Sequence, residues 1–354
     1  MNTEYSEKLF VEKITTDMAS KDETFKAEYM RLATLETYLR GRLHGQDFAI
    51  RDACEIFKRG ELFDFPDDVR PKGSMIFMGP SGVGKTELVK LAAGYLFNDD
   101  PDLCRPISFD MVNYNHDDAV GIFLGDKNFP GQLGEALKTH KKGILLFDEF
   151  EKAHPQIMIQ FMNILDEGRI KCNNGELFQL HNYYIILTSN LGAAEFKESA
   201  GAKYTIIRQT AFQVIAAHTK PELAERINKI VVFLDLTMEA KVSVCRDMIK
   251  KVLMQYAKKG IFLKAHENVI SEFLQKGADN ERGMRLMRNV IDALIGNVVS
   301  DICIAKQTQS FHGILYAEGG TVRISLLPEN DPVFQAPEIF IQASSSCMPL
   351  LNSL

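Results

Sequence analysis

The sequence predicts an α/β fold in which a parallel sheet is sandwiched by helices, followed by a small, mostly helical domain with a β-hairpin. Short apolar runs recur at Ser74–Met78, Ile107–Met111, Ile144–Phe147, Tyr184–Thr188 and Ile230–Phe233. Helical stretches such as Thr86–Phe97 and Gln156–Asp166 lie between them. Strands that are apolar throughout and separated by helices are typical of a parallel sheet covered on both faces.

The pattern changes after Thr237, where helical periodicity continues without further strand–helix alternation. The last regular feature is a predicted hairpin of Phe311–Ala317 and Thr321–Leu327, joined through a Gly-Gly turn. We therefore expect an N-terminal helical extension over residues 1–40, a large domain over 41–236, a small domain over 237–328 and a flexible tail over 329–354.

Composition excludes several classes of protein. The chain has 354 residues, of which 25% are charged, and a net charge of −6, a balance that is typical of globular proteins and unfavourable for broad nucleic-acid binding. Its six cysteines are scattered, without zinc-ligand spacing. No apolar run approaches the roughly 20 residues of a membrane helix. The first ten residues are polar and acidic, so we expect no signal peptide. With no membrane span expected either, we predict a cytoplasmic location.

A phosphate-binding pattern follows the first predicted strand of the large domain. The run is Gly79-Pro80-Ser81-Gly82-Val83-Gly84-Lys85-Thr86. It matches G-x-x-x-x-G-K-[ST] in the strand–loop–helix context that the mechanism requires. Its glycines let the backbone approach phosphate oxygens, and the next helix offers unpaired N–H groups. Lys85 is expected to reach the β- and γ-phosphates, and Thr86 to ligate magnesium.

Two later strands end in polar side chains. The run Gly143–Phe147 leads into Asp148 and Glu149, and the strand Tyr184–Thr188 leads to Asn190. Asp148 is expected to hold magnesium, and Glu149 to act as the general base on the attacking water. Asn190 is expected to position that water.

These motifs and their flanks resemble the second ATPase domain of the Clp-type AAA+ proteins ClpB and ClpA. The matching runs are His44-Gly45-Gln46-Asp47, Phe109-Asp110-Met111, Phe147 to Pro155, Asp166-Glu167-Gly168-Arg169 and Leu187 to Gly192. The resemblance spans roughly residues 42–328. It implies an AAA+ P-loop NTPase fold with a lid domain, magnesium-dependent ATP hydrolysis and assembly into a homohexamer.

The same resemblance implies roles for further residues. Arg226, in Lys220 to Ile227, corresponds to an arginine finger that acts on the neighbouring subunit's ATP, and Arg285 corresponds to a lid residue that contacts the phosphates of its own subunit. Leu43 and His44 are expected at the nucleotide. The tripeptide Phe123-Leu124-Gly125 fits a substrate pore loop, with Phe123 exposed and gripping the client. No Ile-Gly-Phe or Ile-Gly-Leu loop for docking onto ClpP precedes Arg226.

The sequence thus favours ATP-driven remodelling, unfolding or disassembly of a protein client or adaptor by a ring. Two alternatives stay open. The first is a partner-regulated AAA+ switch or scaffold that hydrolyses little ATP. The second is a nucleic-acid-directed AAA+ loader, which would need a basic reading element that the sequence does not display.

Overall fold

A computed structural model describes residues 29–63, 69–199, 201–277 and 284–341. These residues form two compact units. The first contains the described residues up to Gly79 together with Gly84–Leu234, and the second contains Pro80–Val83 together with the described residues from Asp235 onward. The break after Leu234 lies close to the domain boundary expected at residue 236.

The first unit is built on a parallel sheet. Its strands, in the order β2-β3-β6-β1-β7, are β1 (Gly73–Met78), β2 (Ile107–Asp110), β3 (Gly143–Asp148), β6 (Tyr183–Ser189) and β7 (Lys229–Val232). All neighbouring pairs are parallel, and every residue of β1 and β6 is buried. Burial on both faces explains why these strands are continuous apolar runs rather than alternating ones. The predicted α/β class is confirmed.

Helices surround this sheet. The described part of the first helix, α1, covers residues 29–40; residues 1–28 of the expected N-terminal extension lie outside the described part of the chain. The others are α2 (Asp47–Leu62), α3 (Lys85–Leu96), α4 (Ala119–Leu124), α5 (Gly131–Thr139), α6 (Pro155–Glu167), α7 (Ala193–Glu198), α8 (Tyr204–His218) and α9 (Pro221–Arg226). A short antiparallel hairpin, β4 (Arg169–Lys171) and β5 (Leu177–Gln179), follows α6. None of the described helices is long and apolar enough to cross a membrane.

The register of the strands brings three polar strand ends, Asp110, Asp148 and Ser189, to one edge of the sheet. Met78 pairs with Ser189, and Asp110 pairs with Asp148. Because parallel strands end at the same edge, the residues that follow β1, β3 and β6 become neighbours there. This edge carries the candidate site.

The second unit combines helices with its own sheet. Its elements are α10 (Met238–Ala257), β8 (Ile261–His266), α11 (Asn268–Gly277), α12 (Arg285–Lys306), β9 (Phe311–Glu318), β10 (Thr321–Leu327) and β11 (Phe340–Ile341). The predicted hairpin is β9–β10. Two strands join it to make a four-stranded sheet, in the order β10-β9-β8-β11. Sequence reasoning missed β8 because its six residues stand alone between two helices.

The expectation of a flexible tail from residue 329 is wrong for residues 329–341. Strand β11 pairs in parallel with β8. The buried Lys264 donates hydrogen bonds to the carbonyl oxygens of Ala336 and Glu338, at 2.5 and 2.8 Å. The ammonium group of Lys264 thus pairs two backbone carbonyl oxygens that lie outside any helix or strand. Residues 342–354 lie outside the described chain.

The predicted pore-loop tripeptide is also corrected. Phe123 lies within α4 and is 0% exposed; its ring centroid lies 4.9 Å from that of Tyr114. Leu124 is buried as well, and Gly125 only ends the helix. The sequence suggested exposure because polar residues follow the tripeptide, but the helix turns the aromatic ring toward the core. Phe123 is therefore a core residue and not an exposed client contact.

Burial of Phe123 predicts that Phe123→Ala lowers the free energy of unfolding by about 3–5 kcal/mol, through lost apolar burial and a new cavity. The matched control is Phe129→Ala, because Phe129 is 48% exposed on the loop that follows α4. We expect that change to cost less than about 0.5 kcal/mol. Urea unfolding of both variants measures the difference. Equal midpoints would contradict the placement of Phe123.

Candidate functional site

The loop between β1 and α3 has a shape that only glycine allows at two positions. Gly79 has φ of 144°, and a Cβ there would lie 2.2 Å from the carbonyl oxygen of Phe233. Gly84 has φ of 107°, and a Cβ there would lie 2.6 Å from Cδ1 of Leu43. These close approaches explain the glycine spacing of the motif. They also place Leu43 against the loop, and His44 follows it in the chain.

Lys85 is the first residue of α3 and is buried. Its Nζ donates hydrogen bonds to the carbonyl oxygen of Gly79, at 2.5 Å, and to Oδ1 of Asn190, at 2.9 Å. Burial lowers the pKa of Lys85 to about 8, and the nearby carboxylates, of which Glu151 has the largest effect, oppose this shift. The ammonium group of Lys85 therefore loses its proton within the pH range of ordinary buffers.

The hydroxyl of Thr188 contacts both acidic residues at the end of β3, the carboxylate of Asp148 and the backbone of Glu149. It accepts a hydrogen bond from the backbone N–H of Glu149, at 3.1 Å, and donates one to Oδ1 of Asp148. The other carboxylate oxygen of Asp148 accepts from the hydroxyl of Thr86, at 3.3 Å. Glu149 has φ of 55°, a left-handed conformation that costs energy for a residue with a side chain. The bond to Thr188 fixes this conformation.

Glu151 supports the third strand end. Its Oε1 accepts the backbone N–H of Asn190, at 3.1 Å, while Oε2 is buried without a hydrogen-bond partner in the described residues. Sequence reasoning missed Thr188 and Glu151. Two features of the sequence could have indicated them. Thr188 places a hydroxyl near the buried end of β6, and Glu151 is a second acidic residue two positions after Glu149.

The structure brings together most of the residues predicted for the nucleotide site. Lys85, Thr86, Asp148, Glu149 and Asn190 share one edge of the sheet through the bonds described above. The two predicted arginines lie on other elements. Arg226 ends α9, and its Nε lies 2.5 Å from Oδ2 of Asp166, while Arg285 is an exposed residue at the start of α12 in the second unit.

The oxygen atoms at this edge are suitable ligands for a small, hard cation. The oxygens of Thr86 and Asp148 are 3.3 Å apart, and oxygen ligands are those that Mg²⁺ prefers, usually one or two from the protein and the rest from phosphates and water. No cluster of three or more histidines, cysteines or acidic residues that could cage a metal occurs among the described residues. The residues therefore fit an ion that arrives with a phosphate ligand.

A compact loop follows the corrected tripeptide. Oδ1 of Asp126 accepts the backbone N–H groups of Asn128, at 2.7 Å, and Phe129, at 3.1 Å. Asn173, in the turn between β4 and β5, donates its side-chain amide to the carbonyl oxygen of Gly125, at 2.7 Å. The loop is thus held by Asp126 from within and by Asn173 at its start, and it presents the half-exposed ring of Phe129.

The lowered pKa of Lys85 predicts that Mg·ADP affinity falls as pH rises above about 8. Below that pH the free protein already carries the ammonium that phosphate requires. Above it, binding must take up one proton, so affinity should fall up to about tenfold per pH unit. Isothermal titration between pH 7.5 and 9.5, in two buffers of different ionisation enthalpy, measures both the affinity and the proton uptake. A flat profile without proton uptake would contradict the shift.

Comparison with known proteins agrees with the fold. Residues 70–230 match the model of the AAA domain (Cdc48 subfamily), and residues 236–315 match that of the C-terminal D2-small domain of ClpB protein. The two matches meet near the break between the structural units after Leu234.

Curated relatives carry the ClpB name. The chain is 34% identical to "Chaperone protein ClpB" of Meiothermus ruber over 75% of its own length and 32% of that protein. It is 32% identical to the protein of the same name from Rickettsia conorii, over 86% of its length and 35% of that protein. It is 31% identical to "Probable chaperone protein ClpB 1" of Chlorobaculum tepidum, over 87% of its length and 70% of that protein.

The chain spans about a third of the first and second of these relatives and 70% of the third. Its phosphate-binding loop, its paired carboxylates and the matched small domain all correspond to one ATPase module. The chain therefore belongs to the ClpB family of AAA ATPases, and it is an ATPase that resembles the second ATPase domain of that family.

Proposed function

We propose that this chain forms a ring-shaped homo-oligomer, a hexamer, in which ATP hydrolysis drives the remodelling, unfolding or disassembly of a protein partner. The observation that carries the proposal is the meeting of two hydrogen-bonded groups at one sheet edge, Lys85 with Asn190, and Thr188 with Asp148 and the backbone of Glu149. A scaffold that only binds nucleotide would not need a general base held in a strained conformation. The relatives are named chaperones, which supports a protein as the partner.

In this proposal each residue of the network has one task. Lys85 gives up its bond to Asn190 and binds the β- and γ-phosphates, which frees the amide of Asn190 to orient the attacking water. Thr86 and Asp148 hold magnesium, whose charge offsets that of the phosphates when it is bound. Glu149 takes the proton of the water. The Thr188 bond keeps the backbone of Glu149 in place throughout.

The proposed ring follows from Arg226. In its own chain, Arg226 forms an ion pair with Asp166 and not with a residue of the nucleotide network. As an arginine finger it would stabilise charge on the γ-phosphoryl group of the adjacent subunit. Arg285 is proposed to contact the phosphates of its own subunit, and Leu43 and His44 to lie beside the nucleotide. The cytoplasmic location stays a prediction from the sequence.

Phe129 is the proposed contact for the protein partner. Its ring is 48% exposed on a loop whose backbone is held by Asp126 and Asn173. An exposed aromatic ring on an ordered loop can bind an unfolded segment at little entropic cost. This assignment replaces Phe123, which the core encloses.

The proposal predicts complementation between two inactive variants. Glu149→Gln lacks the base and should turn over ATP at least about a hundredfold more slowly than wild type; Arg226→Ala lacks the finger and should be similarly slow. In a mixture, an intact Glu149 site can lie beside an intact Arg226. About a quarter of the sites in random one-to-one rings would then be complete, so ATPase activity should return.

Phosphate release by each protein alone and by the mixture measures this effect, and size-exclusion chromatography with ATP reports assembly. Lys85→Ala mixed with Glu149→Gln is the matched control. No complete site can form there, because both defects lie in the subunit that binds the nucleotide. Failure of the first mixture to exceed the control would contradict the ring.

A further inference from the structure

We propose that Asp166 is a positioning residue that holds Arg226 in a tucked state, from which the guanidinium group must be released before it acts on the neighbouring subunit's ATP. The inference rests on the proposed function, because it requires Arg226 to work in trans. Asp166 would then regulate hydrolysis in the neighbouring subunit from the subunit that supplies the arginine.

The geometry of Arg226 carries the inference. Its Nε lies 2.5 Å from Oδ2 of Asp166, and its Nη1 is buried without a hydrogen-bond partner in the described residues. A guanidinium group binds phosphate bidentately through one of two edges, Nε with Nη2 or Nη1 with Nη2. The first edge contains Nε, which is paired with Asp166, and the second contains Nη1, which is buried. In this state Arg226 has no free edge for a phosphate.

The tucked state is held weakly enough to exchange. The side chains of Arg226 and Asp166 are 29% and 47% exposed, and ion pairs of that exposure bias an equilibrium only modestly. The enclosed Nη1 also lacks an acceptor, which disfavours the tucked state. A γ-phosphate on the neighbouring subunit carries more charge than a carboxylate and can satisfy two donors at once, so it can displace Asp166.

Asp166 lies where its charge does not stabilise its own helix. It is the penultimate residue of α6 (Pro155–Glu167). A carboxylate at the C-terminal end of a helix faces the negative end of the helix dipole and is unfavourable there. Asp166→Asn should therefore not destabilise α6 through the dipole, and only the loss of its contact with Arg226 remains.

The adjacent carboxylate supplies a matched control. Glu167 lies at the same helix end and forms an ion pair with Arg169, at 2.7 Å, with both side chains 50% exposed. Glu167→Gln removes the same charge from the same place but leaves Arg226 paired. A general electrostatic effect at this helix end would appear in both variants, whereas release of the arginine would appear in only one.

The test isolates the effect in trans. Subunits that carry Glu149→Gln hydrolyse little ATP and serve as arginine donors, and Arg226→Ala subunits have an intact base and serve as acceptors. Donors with Glu149→Gln alone, with added Asp166→Asn, or with added Glu167→Gln are each mixed with the same acceptor. ATPase activity of each mixture is measured under conditions where assembly is equal by chromatography. Melting curves of the donors check folding, and Asp166→Ser serves as a second variant.

We expect added Asp166→Asn to raise the ATPase activity of the mixture by roughly two- to fivefold, the range by which such an ion pair shifts an equilibrium. Added Glu167→Gln should leave it unchanged. An unchanged or lower activity with Asp166→Asn and Asp166→Ser, or an equal rise with Glu167→Gln, would overturn the inference. If Arg226→Ala alone hydrolysed ATP at the wild-type rate, the proposed function itself would fail, which separates the two failures.

Discussion

The hydroxyl of Thr188 lies between the backbone of Glu149 and the carboxylate of Asp148, and the rest of the site depends on that contact. Its single proton goes to Asp148, and its oxygen accepts the N–H of Glu149. Glu149 has a positive φ, and for a residue with a side chain this conformation persists only where neighbours enforce it. One hydroxyl thus contacts both the carboxylate of Asp148, the proposed metal ligand, and the backbone of Glu149, the proposed general base.

That contact exists because of strand order. Strand β6 lies between β3 and β1, so its end can contact the carboxylates on one side and the phosphate-binding loop on the other. Asn190 accordingly accepts a hydrogen bond from Lys85, and its backbone donates to Glu151. A different strand order would separate these groups even if each motif were intact. The parallel strand order is therefore the structural requirement for this arrangement of residues.

The parts of the structure that sequence predicted are those with local signals. The glycine loop, the strand that ends at Asp148 and the hairpin β9–β10 each have a short pattern with one physical meaning. The strand β8, the attachment of residues 329–341 and the burial of Phe123 depend on partners distant in sequence. For Phe123 in particular, three residues that match a loop motif could not reveal that the backbone is helical. The roles of Thr188 and Glu151 also depend on strand neighbours and carry no motif of their own.

The most direct test of this account is the ATPase rate of Thr188→Val against Thr188→Ser. Valine keeps the shape and burial of threonine but removes both hydrogen bonds, whereas serine keeps the hydroxyl. We expect Thr188→Ser to retain most of the wild-type rate. Thr188→Val should lose at least about tenfold, because the backbone of Glu149 and the carboxylate of Asp148 lose their shared partner. Equal rates for the two variants, with both proteins folded, would contradict the central role of this hydroxyl.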